Sequence, residues 1–154
     1  MPHEHNDQIA TVVSDVLEQM AFMFADVISA SEMPTDVNET VGAEIHFTGS
    51  FNGALSLIST PQMCTELAAN LLGTEADEIE IDECQDTIKE LLNVICGQLL
   101  TTIAGNEPVF DLSPPKTVEG DQASWSGQVD DPSATLFMVE DDPVIVRLQL
   151  EQAA

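Results

Sequence analysis

The chain has 154 residues, of which 28 are acidic and only three are basic, so its formal net charge is −25. This charge repels phosphate backbones and anionic lipid headgroups, and the sequence therefore predicts no nucleic-acid and no membrane partner. The length and the 44% hydrophobic content predict one domain over residues 1–154 that buries about 70% of the surface of the unfolded chain.

Nothing in the sequence predicts export or membrane insertion. The N-terminal residues are polar, and no apolar run approaches the roughly 18 residues that a membrane span needs. The three cysteines, Cys64, Cys84 and Cys96, form no Cys-x-x-Cys pair and are typical of core thiols in a reducing compartment. We therefore expect a cytoplasmic protein.

The first segment with helical periodicity covers residues 6–30. Its apolar residues recur at helical spacing, and Asn6 or Asp7 can serve as the N-cap. Pro34, a few residues further on, is a helix breaker. The pattern therefore predicts one long amphipathic helix over residues 6–30.

A hairpin and a second helix are predicted next. Alternating residues over 44–48 indicate a strand, Asn52-Gly53 is a hairpin turn signal, and Ala54–Ser59 fits the paired strand. Thr60 followed by Pro61 is typical of a helix start, and Gly73 of its end. The acidic residues that follow lack the glycine and the ligand spacing of an EF-hand loop, so we interpret them as a solvated connector.

The segment from Asp82 to Gly105 predicts a helix of about six turns, with Asp82 as the N-cap and Gly105 in the left-handed conformation that ends it. Its apolar face consists of Ile88, Leu92, Ile95, Leu99 and Ile103, widened by Cys84, Leu91 and Cys96. The opposite face carries Asp86, Glu90, Asn93, Gly97 and Thr101. A carboxylate and a carboxamide thus point the same way, beside a glycine that costs about 1 kcal/mol in a helix interior.

Strands are predicted for most of the remaining chain. They cover residues 107–112, 123–129, 134–139 and 144–150, with an extended corner at Pro114-Pro115. A weak internal repeat relates residues 6–73 to residues 82–151. A shift of 72 residues aligns Ser14, Glu18, Ala21 and Ala25 with Asp86, Glu90, Asn93 and Gly97, and Phe47-Thr48-Gly49 echoes Trp125-Ser126-Gly127.

The spacing Asp86-xxx-Glu90-xx-Asn93, followed by the Leu-Ser-Pro-Pro-Lys-Thr-Val-Glu-Gly stretch of residues 112–120, resembles the signature of the CheC/CheX/FliY family of chemotaxis phosphatases. Residues 53–59 and 67–73 are also similar to CheX, and the resemblance extends over about residues 40–150. It implies an α+β fold of the CheC/CheX type. In such a pseudo-twofold domain, long helices pack on a mostly antiparallel sheet. A homodimer is also implied.

For function, the resemblance implies a phosphatase that hydrolyses the phospho-aspartate of a CheY-type receiver domain. Glu90 would pair with a lysine of the receiver, and Asn93 would hold the attacking water. Asp86 and Gly97 would support the helix or the interface. Mg²⁺ would belong to the receiver, since this chain is expected to bind no metal or cofactor. A carboxamide suits this task because it both donates and accepts hydrogen bonds without changing protonation state.

Two other interpretations remain open. The chain lacks a phosphate-binding loop, a dinucleotide-binding motif and a Gly-x-Ser-x-Gly nucleophile motif, so a self-contained active site is not predicted. It could be a non-catalytic module that binds receivers or resembles flagellar switch components. It could also be a structural subunit whose polar strip is only solvated. In addition, Gly97-Gln98-Leu99-Leu100 departs from the family's more usual Gly-Asn-Ala-Lys.

Overall fold

The computed structural model describes residues 5–107 and 109–151, which form four α-helices and one seven-stranded sheet. In chain order the elements are α1 (Asn6–Ala21), β1 (Ala25–Val27), β2 (Glu39–Thr48), β3 (Gly53–Ser59), α2 (Pro61–Leu72), α3 (Ile81–Ala104), β4 (Asp111–Leu112), β5 (Lys116–Asp121), α4 (Gln122–Val129), β6 (Ala134–Val139) and β7 (Asp142–Leu150). Short 3₁₀ turns lie at Ala30–Glu32 and Ala76–Glu78. The predicted α+β class is confirmed.

Every strand pair in the sheet is antiparallel. The strand order is β1-β6-β7-β3-β2-β4, and β5 pairs with the same edge of β2 as β4 does. The larger core lies between one face of this sheet and α1, α2 and α3. A smaller cluster on the opposite face surrounds Trp125, whose side chain is fully buried. One face of α3 therefore packs on the core, and its opposite face is exposed to solvent.

The first helix is shorter than predicted, because α1 ends at Ala21 and not near residue 30. Phe22 adopts a left-handed conformation (φ 55°), and its N–H closes the helix on Glu18 O. The chain then forms strand β1, which pairs with β6. The Phe24 side chain, just before this strand, is 61% exposed, and that of Val27 is 56% exposed. Hydrogen bonding to a free sheet edge outweighs the helical periodicity here. The N-cap is His5, so the predicted cap at Asn6 or Asp7 is also wrong.

The hairpin forms between β2 and β3, but Gly53 is not part of its turn. The loop covers residues 49–52, and the Asn52 side chain accepts a hydrogen bond from Gly49 N at 3.1 Å. Gly53 is the first residue of β3, where a Cβ would collide with Gln149 O and the Phe47 ring. The second helix is as predicted, since Thr60 Oγ1 accepts from Met63 N at 3.2 Å and Gly73 ends the helix at φ 70°.

The central helix α3 begins slightly earlier than predicted. Glu80 is its N-cap, and the Glu83 side chain accepts a hydrogen bond from Glu80 N at 3.0 Å. Gly105 ends it at φ 85° and ψ −176°, a positive φ outside the left-handed helical region. The predicted apolar face is buried except at Ile103, which is half-buried, and Ile88, Leu92 and Ile95 are fully enclosed.

The strand predicted over residues 123–129 is wrong, because this segment is the helix α4. A capping box starts it: Asp121 accepts a hydrogen bond from Ser124 N, and Ser124 Oγ accepts one from Asp121 N. Trp125 is anchored by a 3.0 Å hydrogen bond from its Nε1 to Pro34 O. The strand predicted over residues 107–112 is reduced to Asp111–Leu112 within the described residues, Pro108 lying outside them. Strand β5 was not predicted.

Two correspondences of the internal repeat do not extend to secondary structure. Phe47-Thr48-Gly49 ends a strand, whereas Trp125-Ser126-Gly127 lies in a helix. Ala25 lies in β1, whereas Gly97 lies in α3. The repeat between residues 6–73 and 82–151 stays a prediction.

A buried carboxyl at the start of β7 predicts how stability depends on pH. Asp142 is only 4% exposed. Burial, together with the hydrogen bond and the charge of Glu66 on α2, raises the pKa of the Asp142 carboxyl to about 7. The folded state therefore binds more protons than the unfolded state between the ordinary Asp pKa and about pH 7. The free energy of unfolding should therefore fall as the pH rises through that interval.

The variant Asp142→Asn should lose this dependence. We expect it to be about 1–2 kcal/mol more stable than the wild type at pH 8 and to lose that advantage at pH 4. Urea unfolding at both pH values and fixed salt measures the difference. The matched control is Asp15→Asn, which removes the same charge from an exposed position on α1; Asp15 is not among the groups that raise the pKa of Asp142. If Asp142→Asn differed from the wild type by the same free energy at both pH values, the raised pKa of Asp142 would be contradicted.

Candidate functional site

The predicted polar strip lies on the solvent face of α3. Asp86, Glu90 and Asn93 are exposed and Gly97 is half-buried, whereas the opposite face of the same helix is core. Glu90 and Asn93 are one turn apart, so their side chains project to the same side. The structure therefore brings together, on one open helix face, all four residues singled out in the sequence.

The side chains of Asp86, Glu90 and Asn93 belong to one wall of a cleft of about 560 Å³. The helix contributes Asp86, Lys89, Glu90 and Asn93, and the facing segment contributes Leu112, Ser113, Pro114 and Pro115. The two parts of the family-like sequence pattern, far apart in the chain, are thus the two walls of one cleft. Lys89 was not singled out in the sequence. Its only signal was its spacing, four residues before Asn93.

The second wall is held in place by the edge of the sheet. Ser113 N donates to His46 O at 2.8 Å, and Ser113 Oγ accepts from His46 N at 3.0 Å. These bonds bridge the gap between β4 and β5 along β2, and two consecutive prolines then restrict the backbone. Below the wall, Phe110 packs edge-on against Phe47 and Phe51, with ring centroids 6.2 and 5.0 Å away. The cleft is therefore a preformed feature of the fold.

The cleft continues along α3 as a shallower groove of about 430 Å³. Its lining residues are Asn93, Val94, Gly97, Gln98, Thr101 and Thr102. A Cβ added to Gly97 would have no atom within 4 Å, so packing within the chain does not require glycine at this position. Its absent side chain instead leaves the helix backbone accessible from outside.

The charges in the cleft are two carboxylates and one ammonium group. Lys89 Nζ lies 3.7 Å from Asp86 Oδ1, and the two side chains are 33% and 79% exposed. An exposed pair at this spacing contributes only about 0.5 kcal/mol or less to helix stability. The charged groups are thus free to reorganise when another molecule enters the cleft.

The cleft offers groups that orient and dock but no activated nucleophile. Its one hydroxyl, on Ser113, is used in the bond to His46. The cysteines Cys64, Cys84 and Cys96 are buried, and burial raises the pKa of the Cys96 thiol to about 12, which keeps it protonated. Among residues 5–107 and 109–151, no three His, Cys, Asp or Glu side chains are grouped so that they could hold a metal ion.

In the same described ranges, no helix has the length and apolar character needed to cross a membrane.

A family model matches residues 41–138 of the chain and is described as "Chemotaxis phosphatase CheX". The match includes both walls of the cleft. No curated protein matches the chain.

Several solved structures share the fold. CheX from Vibrio vulnificus has 18% sequence identity and a TM-score of 0.72, covering 97% of each chain. CheX from Desulfovibrio desulfuricans has 23% identity and a TM-score of 0.69, covering 97% of this chain and 100% of that one. A complex of CheX with CheY, BeF₃ and Mg²⁺ from Borrelia burgdorferi matches with 19% identity and a TM-score of 0.66 over 97% of this chain and 99% of that one. At these identities the likeness concerns the fold.

Proposed function

The chain belongs to the CheX family of chemotaxis phosphatases, and from this premise we propose that it hydrolyses the phospho-aspartate of a CheY-type receiver domain. Glu90 would dock the receiver, and Asn93 would position the attacking water. The observation that carries the proposal is that both side chains are exposed and line one cleft. The structure from Borrelia burgdorferi, in which CheX is bound to CheY, supports this class of partner.

The proposed reaction needs little chemistry from this chain. Asn93 accepts a hydrogen bond from water through its carboxamide oxygen and can donate one to a phosphoryl oxygen through its NH₂ group. The held water attacks phosphorus, the bond to the aspartyl oxygen breaks, and inorganic phosphate leaves as H₂PO₄⁻, with the oxygen and both protons of the water. The receiver regains a free carboxylate. Fixing the water in line with the breaking bond is the main catalytic contribution.

The receiver supplies the other groups. Its Mg²⁺ neutralises charge that develops on the phosphoryl oxygens, and its lysine is the partner that we propose for Glu90. This division of labour accounts for a cleft with a docking carboxylate and a water-orienting carboxamide but no activated nucleophile.

Decay of a phosphorylated receiver, with and without this protein at matched Mg²⁺, tests the proposal. We expect the protein to accelerate decay of at least one receiver phosphorylated with acetyl phosphate. If it binds phosphorylated receivers without accelerating decay, the alternative of a non-catalytic receiver-binding or flagellar-switch-like module holds instead. We also propose a homodimer, for which sedimentation velocity is the direct test. The edge strands of the sheet are β1 on one side and β4 and β5 on the other, which are the positions where such pairing would form.

Replacing Gly97 by alanine should stabilise the fold and weaken receiver binding. We expect Gly97→Ala to raise the free energy of unfolding by about 0.5–1 kcal/mol, because the added Cβ meets only open space and alanine favours the helix. The same Cβ should weaken receiver binding by obstructing close approach to the backbone. Urea unfolding and calorimetric titration measure the two effects.

Gly127→Ala is the matched control for this prediction. Gly127 lies in α4, and a Cβ there also has no atom within 4 Å. The Gly127→Ala variant should be stabilised in the same way but should bind the receiver like the wild type. A Gly97→Ala variant that binds the receiver as tightly as the wild type would remove Gly97 from the interface.

A further inference from the structure

Of the three basic residues of this chain, one lies in the cleft and two lie outside it. Among 28 acidic residues there are only Lys89, Lys116 and Arg147, and Lys89 alone of the three lines the cleft. Arg147 is engaged elsewhere, with its Nε 3.2 Å from Asp131 Oδ2. Lys89 is therefore the basic side chain that an anion entering the cleft meets.

Lys116 lies near the cleft in sequence but on the other face of the sheet. The next residue, Thr117, is opposite Ala43, which belongs to the core beneath the helices. Since successive strand residues point to opposite faces, Lys116 points away from α3, on the same side as Glu44. It carries the same charge as Lys89 but is not part of the cleft.

Lys89 is placed to act on the same molecule as Asn93. The two residues are four apart on α3, hence adjacent on its surface, and both line the cleft. Asp86 Oδ1 lies 3.7 Å from Lys89 Nζ, and Asp86 lines the same cleft. Exposed pairs of this kind contribute little to stability, so the ammonium group can turn from Asp86 to an incoming anion at little cost.

A phosphoryl group that enters the cleft must approach the carboxylates of Asp86 and Glu90. Glu90 is expected to pair with the receiver's lysine, so without Lys89 the carboxylate of Asp86 would stand unopposed on a chain whose net charge is −25. We propose that Lys89 is a specificity-determining residue, whose ammonium group attracts the phosphoryl group and thereby favours the phosphorylated over the unphosphorylated receiver. The weak pair with Asp86 lets the ammonium group turn to the phosphoryl group when the receiver docks. The inference rests on the proposed function and deepens it.

The experiment compares Lys89→Gln with Lys116→Gln, which removes an equal charge outside the cleft. The probe is a CheY-type receiver that the wild type dephosphorylates, loaded with beryllofluoride and Mg²⁺, alongside the same receiver unloaded. We expect Lys89→Gln to raise Kd for the loaded receiver, and KM for the phosphorylated one, by roughly fivefold. Neither kcat nor Kd for the unloaded receiver should change. The difference should largely disappear in 1 M salt, where the Debye length is about 3 Å.

Each outcome decides one of the two proposals. If Lys89→Gln matches the wild type, or if Lys116→Gln shows the same loss, the role of Lys89 is rejected while the phosphatase function stands. A loss that is equal for loaded and unloaded receivers also rejects it, because Lys89 would then be a general docking residue. If the wild type neither binds nor dephosphorylates any receiver, the proposed function fails, and the inference fails with it.

Discussion

Replacing Asn93 by alanine is expected to reduce kcat for receiver dephosphorylation by at least about 100-fold, because the water then loses the group that fixes its approach to phosphorus. The fold should be unaffected. Asn93 is exposed on the solvent face of α3, and alanine is a better helix former than asparagine. The expected result is a stable, inactive protein that still binds the receiver through Glu90.

Single-turnover decay of the phosphorylated receiver measures this loss, and urea unfolding checks that stability is kept. The matched control is Gln62→Ala, which removes an exposed carboxamide from α2 and should leave the rate unchanged. Asn93→Ala with wild-type activity would show that the water is positioned by something else.

The variant Glu90→Gln is expected to lower kcat/KM by about 10- to 100-fold, mainly through KM. The proposed pair with the receiver's lysine is a charge-assisted contact, and such contacts contribute about 1.5–3 kcal/mol. Glutamine keeps the shape of the side chain and can still accept a hydrogen bond, so the change isolates the charge. Saturation kinetics with increasing phosphorylated receiver separates the effect on KM from any effect on kcat.

Glu18→Gln is the matched control for Glu90→Gln. Glu18 is an exposed glutamate on α1 at the position that the internal repeat aligns with Glu90. The residue aligned with Asn93 is Ala21, which is fully buried at the end of α1. The α1 face therefore lacks the carboxamide, and Glu18→Gln should behave as the wild type. An equal loss in both variants would indicate a general effect of net charge.

The helix that carries the candidate site was predictable because its periodicity and its burial agree. The apolar stripe of α3 is the core face, so the polar strip had to face solvent. The second wall was visible only as a sequence pattern, since its position depends on Ser113 bonding to His46 across the sheet edge. Lys89 could not be identified as a site residue from the sequence, because its relevance depends on the facing segment and on the charges around it.

Two of the wrong predictions have identifiable physical causes. Residues 22–30 have helical periodicity, but β6 offers a free edge, and β1 pairs with it. Residues 123–129 alternate as in a strand, but the capping box between Asp121 and Ser124 starts a helix, and Trp125 finds its hydrogen-bond partner at Pro34. In the first segment a contact with a distant strand decides the local structure, and in the second a local capping box acts together with a hydrogen bond to a distant residue.

Release of inorganic phosphate under multiple-turnover conditions tests the central claim most directly. A large excess of receiver, kept phosphorylated by acetyl phosphate with Mg²⁺, would be mixed with a trace of this protein. We predict phosphate release that continues through many turnovers, at a rate proportional to the amount of this protein and above that of the receiver alone. Release at the rate of the receiver alone, whatever the amount of this protein, would contradict the account.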